Sequence, residues 1–388
     1  MTTDSNAVPR VFLLDGSGLV ETRRRVFLAD SALLAADELL LQDADQALQT
    51  GPFSVVDKKA VPPSGDKHDY MSQGSYWWSD PSRPDGLPYV HRDGEVNPES
   101  QQLDSARLGS MCSAVNVLGL AYFFSDHELF AEHAALLLRC WFLDEATRMN
   151  PHLEYGQGIP GHCAGRGKGI IDTSPFSWLI DAVGLLGAAP VWNDEDQEQL
   201  EAWFADYFDW LLEGDHGRAA AGQLDHHGTW YDVQVCCLAL FLGREEVAGQ
   251  ILAERVPQRI AVQIGADGRQ ARELARTCGL DCCTMNLMAF FDLATLSERM
   301  GMDLWHWQAP EGGSIERAFD WLVEHGVKQK KWAYQQITAF DRIKFLPLLR
   351  RGGNRFDRVD CEALVEELDE EVKITADRTN LLYAVLQD

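Results

Sequence analysis

The run Leu224-Asp225-His226-His227-Gly228-Thr229-Trp230-Tyr231-Asp232-Val233-Gln234 places adjacent imidazoles beside carboxylates and a phenol. Imidazoles exchange protons near neutrality, so His226 and His227, with Asp225 and Tyr231 at hand, form a candidate acid–base group. Trp230, Val233, Cys237 and Phe241 recur at helical spacing, which predicts a packed helix after Thr229. Thr229 is placed to cap that helix, with Asp232 three residues on as in a capping box. The histidines are then expected in the loop just ahead of a helix N-terminus, where free amides favour an anion. The plain alternative is a pair of loop histidines that hydrogen-bond their own turn.

Three other stretches carry chemistry-bearing residues. Tyr155 to Thr173 holds six glycines with His162, Arg166 and Lys168, so positive charge sits where backbones can approach closely. Its glycine spacing is not that of a P-loop, and the plain reading is a glycine-rich connector. Arg269 to Cys283 brings Arg272, Glu273 and Arg276 within a turn. Arg276 is a candidate anion clamp, or else the partner of Glu273 in an exposed ion pair. The third runs from about Gly51 to Ser100, punctuated by prolines and loaded with Tyr70, Tyr76, Trp77, Trp78 and Tyr89. Long loops of this kind are usually functional or disordered, and the aromatic load opposes disorder. Flat rings beside Lys67, His68, Gln73, Arg83 and Arg92 suit sugar rings, stacking on CH faces while polar groups fix hydroxyls; the same rings could instead pin the loop to the core.

Helices must position these groups. Apolar recurrence predicts them over Glu21–Gln49, Leu103–Ser125, His127–Met149, Pro175–Ala188, Glu195–Leu212 and the stretch after Thr229. Further ones are expected over Glu245–Arg255, Thr284–Met300, Ile315–Val327, Cys361–Glu371 and Asp377–Leu386. Val11 to Leu14 reads as a strand or a docking arm. Breaks are expected at Asn150-Pro151, Gly214–Gln223, Gly265–Gly268 and Gly312-Gly313. No alternating pattern of strand length stands between the helices, so the class is all-α. Short connections pair the helices antiparallel, and their number suggests an α/α toroid, an incomplete barrel of helix pairs. The 388 residues are read as one domain, with residues 51–100 as a long loop over its cleft.

Composition narrows the partners. A formal charge of -26 argues against nucleic acid or an anionic membrane surface and requires a local basic cluster for any anionic substrate. No window reads as long and apolar enough to span a bilayer. The nine cysteines, an odd number with neighbours Cys236-Cys237 and Cys282-Cys283, match no disulfide framework or zinc ribbon and read as reduced thiols. With a polar Met1 to Arg10, the expectation is a cytoplasmic protein. No cofactor or metal is expected, although Asp225, His226, His227 and a cysteine form a candidate ligand set. The sequence does not fix an oligomeric state.

Four blocks resemble the alginate lyase superfamily, in particular polysaccharide lyase family 38. They are Asp69-Tyr70-Met71-Ser72-Gln73-Gly74 with Tyr76-Trp77-Trp78-Ser79-Asp80-Pro81 and Asp85-Gly86-Leu87-Pro88-Tyr89; Ile159-Pro160-Gly161, Gly165-Arg166-Gly167 and Ile170-Ile171-Asp172-Thr173; His227 to Gln234; and Glu273-Leu274-Ala275-Arg276-Thr277 with Thr284-Met285-Asn286-Leu287. The resemblance implies an α/α toroid that cleaves uronic-acid polysaccharides by β-elimination. It implies that His227 matches the family histidine and Arg276 the family arginine. The asparagine paired with that histidine is replaced by His226, preceded by Asp225. The tyrosine six residues after the arginine is replaced by Cys282, and His162 and Ala164 stand where arginine and glutamate are usual.

An unperturbed thiol titrates near ~8.5 and is shorter than a phenol. Either His226, His227 or Tyr231 takes over the tyrosine's work, or Cys282 acts on a shifted substrate, or the parental reaction is lost. The expected catalytic set is therefore His227, Arg276, His226, Tyr231 and Cys282. The expected saccharide-binding set is Tyr70, Gln73, Tyr76, Trp77, Trp78, His162, Arg166 and Asp225. Competing expectations are a glycoside hydrolase-like enzyme using Asp225, Asp232 or Glu273, and a saccharide-binding relative without catalysis.

Overall fold

Long apolar stretches with helical recurrence give the expected all-α class, and the computed structural model is built mostly of helices. It describes residues 7–328, 330–356, 360–366, 368 and 374–383. Internal contacts divide the chain into two units, Met1–Gln42 with Leu224–Cys237 and Glu245–Asp388, and Asp43–Gln223 with Leu238–Arg244.

The first unit begins with an arm, not a strand. Val11 to Leu14 are buried, and the Arg299 guanidinium donates to the carbonyls of Phe12 and Leu14, each at 2.5 Å. The expected helix Glu21–Gln49 is two helices, Gly16–Phe27 and Leu34–Ala47, because Ala29 adopts a left-handed φ of 57° between them. Helix Gly279–Arg299 is the core of this unit, with Cys283, Leu287, Phe290, Phe291 and Ala294 buried. It starts a turn earlier than Thr284, so Cys282 and Cys283 belong to the helix. Phe291, Trp305, Phe319 and Phe356 pack ring to ring beneath it. Two longer helices went unread. Val256–Gln263 continues Glu245–Gln250 through a π-helical turn, Ile251–Arg255, with Pro257 directly after that turn, and Leu346–Arg355 was hidden by a proline and two glycines. The expected helices Cys361–Glu371 and Asp377–Leu386 are seen as Cys361–Glu366 and Thr379–Leu382. Residues 367, 369–371 and 384–386 lie outside the described residues.

The second unit is built on helices Asp104–Ser125, Glu128–Leu138, Phe176–Leu185 and Asp194–Glu213. Phe142, Phe176, Trp203, Phe204 and Tyr207 form its aromatic centre. Gly214–Gln223, expected as a break, holds a further helix, Asp215–Ala221. Helix Asp104–Ser125 corrects the bilayer expectation: it is long and apolar enough to cross one, and 72% of that window is buried in the fold. Its apolar length serves a core. The long segment 51–100 is not structureless. Ser54 and Asp57 close a capping box on Val55–Asp57, Trp77–Trp78 pairs antiparallel with Val90–His91, and Met71–Gln73 pairs parallel with Tyr155–Gly158. These strands are two to four residues long, too short to show alternation.

Candidate active site

The histidines lie inside their helix. It runs His226–Phe241, and Asp225 ends the preceding loop: its carbonyl accepts from the N–H of Gly228 at 2.9 Å, and its carboxylate Oδ1 accepts from the N–H of His227 at 3.1 Å. Asp225 therefore does what was expected of Thr229. Thr229 is buried and donates to Gln263 Oε1 at 3.1 Å. Asp232, expected to complete a capping box, is fully buried and bridges Arg255 at 3.1 Å and Arg259. An apolar helix face swallowed both polar residues, and each found a buried partner.

Each imidazole is held by its own carboxylate. His227 Nδ1 lies 3.0 Å from Asp225 Oδ1. His226 Nδ1 lies 2.8 Å from Glu273 Oε2, and the His226 main-chain N–H donates to Glu273 Oε1 at 2.8 Å. Glu273 is 2% exposed and holds His226, which sets aside the alternative of an exposed ion pair between Glu273 and Arg276. The two rings lie 4.2 Å apart, tilted by 31°. At that separation a charge on one imidazole opposes a charge on the other. Ligand atoms of Asp225, His226 and His227 fall within 4.8 Å of one another, and no cysteine joins them among the described residues. For a cation, the two Nε2 atoms would have to serve, each imidazole having turned Nδ1 to a carboxylate.

Arg276 follows the short helix Ala271–Leu274, its N–H bonded to the Glu273 carbonyl at 3.1 Å, and its side chain is half-buried. A buried amide chain locks this segment to both helices. Gln270 Nε2 donates to the Cys283 carbonyl at 3.0 Å, Asn286 Nδ2 donates to Gln270 Oε1 at 2.7 Å and to Gln263 Oε1 at 2.9 Å, and Gln263 receives Thr229. Cys282 sits in the first turn of its helix, half-buried, with its N–H on the Cys278 carbonyl. The strand-like segment at Cys278 pairs with Gln336, whose amide reaches Asp281 at 2.7 Å.

Tyr231 corrects an expectation. It is 2% exposed, and burial pushes its phenol up to about 12, with Arg255, Asp232, Arg259 and Cys236 as its electrostatic neighbours. A phenol so placed keeps its proton at neutral pH and belongs with the Asp232–arginine group.

In the other unit, the glycine-rich loop folds back against its own strand. A Cβ at Gly165 would sit 1.9 Å from the Glu154 carbonyl oxygen, and one at Gly169 would meet the Gly156 backbone at 2.4 Å. This contact aims Arg166, whose N–H bonds the Gly156 carbonyl and whose Nη2 donates to Gln157 Oε1 at 2.8 Å. Gly74 keeps space where Trp77 and Arg166 converge, since a Cβ there would lie 2.8 Å from Trp77 and 3.1 Å from Arg166. Trp77 packs edge-on to His162 at 5.3 Å and against His91 at 5.1 Å. His162 is exposed, its Nε2 2.9 Å from the Tyr89 carbonyl. Arg92 lies over Trp78 at 5.1 Å, Tyr76 leans on His91, and Gln73 reaches the Trp77 carbonyl at 3.4 Å.

Tyr70, expected to meet saccharide, is fully buried. Its hydroxyl donates to Asp172 Oδ2 at 3.0 Å, and burial holds the phenol well above its ordinary range. Asp172 is the unread hub of this unit. It accepts from Tyr70, from Ser72 at 2.6 Å and from Gln157 at 2.8 Å, with burial raising its own carboxyl. Its signal was a lone carboxylate directly after Ile170-Ile171.

The alginate lyase family model matches residues 54–332. An alginate lyase from Bacteroides ovatus is 36% identical, with a TM-score of 0.93 over 98% of this chain and 100% of that one. Alginate lyase A1-III from Sphingomonas species A1 is 17% identical, with a TM-score of 0.61 over 98% of this chain and 99% of that one, a likeness of fold. An alanine variant of A1-III complexed with a tetrasaccharide gives 16% identity and a TM-score of 0.62 over 99% of both chains. No curated protein matches the chain.

Proposed function

Because the chain belongs to the alginate lyase family and is a polysaccharide lyase, we propose that it cleaves a 4-linked uronate saccharide by β-elimination with a rebuilt acid–base pair. Removing the weakly acidic C5 proton needs a neutralised C6 carboxylate, a base at C5 and an acid at O4. In this reading Arg276 neutralises the carboxylate. His227 Nε2 takes the C5 proton, the C5–H electrons form the C4–C5 double bond, the C4–O4 bond breaks, and His226 gives the departing O4 its proton. The observation that carries this division is the pair of imidazoles 4.2 Å apart, each on a separate carboxylate. Each ring is oriented by its own carboxylate, so a base and an acid stand side by side, as elimination requires. Cys282 is smaller than the family's tyrosine, and Tyr231, at 2% exposure, is buried rather than presented to a substrate, so this reading gives the proton transfers to the histidines.

Gln73, Tyr76, Trp77, Trp78, His162 and Arg166 are the saccharide-binding residues of this reading, stacking on sugar faces and meeting carboxylates. The acidic surface, at a formal charge of -26, favours a short saccharide over a long polyanion. The nine cysteines are thiols rather than disulfides, which supports a reducing compartment such as the cytoplasm.

The test is ultraviolet absorbance of the new double bond during incubation with alginate, glucuronan and their oligomers. A rise on at least one, larger on oligomers, is the expected result; flat traces on all of them with folded protein would overturn the reading.

A further inference from the structure

We infer that Glu273 is the positioning residue that fixes His226 in its Nδ1–H form and so makes Nε2 the nitrogen that meets substrate. The inference rests on the reading of His226 as a catalytic imidazole. Its basis is that one carboxylate grips one residue twice. Oε1 takes the His226 main-chain N–H, which can only donate, and Oε2 faces Nδ1, each at 2.8 Å. Main chain and ring are thereby set relative to each other, so the carboxylate dictates ring rotation as well as tautomer.

The grip is built from buried parts. Glu273 is 2% exposed and His226 6%, so water does not compete for these bonds. The carboxylate comes from the short helix Ala271–Leu274, and Gln270 just before it is tied to the Cys283 carbonyl and to Asn286. Glu273 therefore cannot follow the histidine if the helix start shifts; it holds it to the Arg276 segment. His227 is held less firmly: a single oxygen of Asp225 takes both its N–H and its Nδ1, from two residues away on the same turn, and that side chain is more exposed, at 23% against 2% for Glu273. The ring that needs a proton for the leaving oxygen is the one anchored from a different segment.

The chemistry follows from the two protonation states. With Nδ1–H fixed on a carboxylate, the imidazolium offers Nε2–H to a leaving oxygen and returns to neutral without rotating. A glutamine at position 273 cannot serve both bonds. Its oxygen accepts one, and its amide faces the other donor or turns the ring to the Nε2–H form.

Nitrogen NMR of protein labelled at histidine, with Glu273→Gln and His226→Ala alongside, tests this. Wild type is expected to show His226 as the Nδ1–H tautomer. Glu273→Gln should lose that uniform signature and lower kcat about a hundredfold, with KM within about twofold. A wild-type His226 in the Nε2–H form overturns the inference whatever the variants do. So does a Glu273→Gln protein that keeps both the Nδ1–H signature and native kcat. His226→Ala with undiminished turnover would instead remove the catalytic reading of His226, a separable outcome. If Glu273→Gln fails to fold, the wild-type spectrum decides alone.

Discussion

The histidine group and the aromatic–glycine group solve opposite problems with similar residue types. Around His226 the polar side chains are tied to buried partners, Glu273, Gln270, Asn286 and Gln263, while His227 rests on the half-buried Asp225. Around Trp77 and His162, the anchor lies underneath, in Asp172 with Tyr70, Ser72 and Gln157, and the rings above stay half-buried or exposed. Proton transfer needs atoms held to fractions of an ångström, whereas stacking on a sugar tolerates sliding. The first group is held at its side chains, the second at its base. Mutations should separate the two accordingly, kcat in one and KM in the other.

The largest effect is expected for His227→Ala, which removes the proposed base and should lower kcat about a thousandfold with KM nearly unchanged, read by ultraviolet rate. Arg276→Ala should lower kcat/KM about a hundredfold or more and also weaken binding, since it acts on a charge present before and during elimination. If either change altered KM alone, the proposed division between the groups would be wrong. Trp77→Ala should raise KM about fivefold and leave kcat within about twofold, the loss of one stacking partner worth about 1 kcal/mol. Asp172→Asn should act on stability, lowering the unfolding free energy by about 2 kcal/mol, because one amide cannot accept all three donors; thermal melting reads it. The smallest effect belongs to Tyr231→Phe. A phenol raised to about 12 in the fold binds its proton more tightly than when unfolded, so its contribution is constant below ~10 and is lost only as pH rises beyond that. The pH–rate profile of this variant should overlay wild type from about pH 5 to 9; a moved limb would return Tyr231 to the chemistry.

Long apolar helices such as Asp104–Ser125 and Gly279–Arg299 were legible because their burial follows from pattern alone. His227, Arg276 and the aromatic run are singled out by the residues and by the resemblance alike, and the substitutions above test their roles. Polar residues whose partner is distant in sequence were misread. Thr229 and Asp232 look like a cap, yet their partners are Gln263, Arg255 and Arg259. Glu273 looks like the mate of Arg276, three residues on, while its contact is His226, and Tyr70 looks like a sugar platform while it is a core phenol. Local spacing reports helix faces, not which buried donor finds which acceptor across the fold. The short strands and the helix Asp215–Ala221 escaped for a related reason: they are held by neighbours and carry little pattern of their own.

The central claim is elimination by a histidine pair, and the direct measurement is mass analysis of products formed in water enriched in heavy oxygen. Elimination breaks C4–O4 without adding water, so the account predicts an unsaturated product free of label, with this yield abolished in His227→Ala. A saturated product carrying one heavy oxygen at its new reducing end would contradict it and mark a hydrolase.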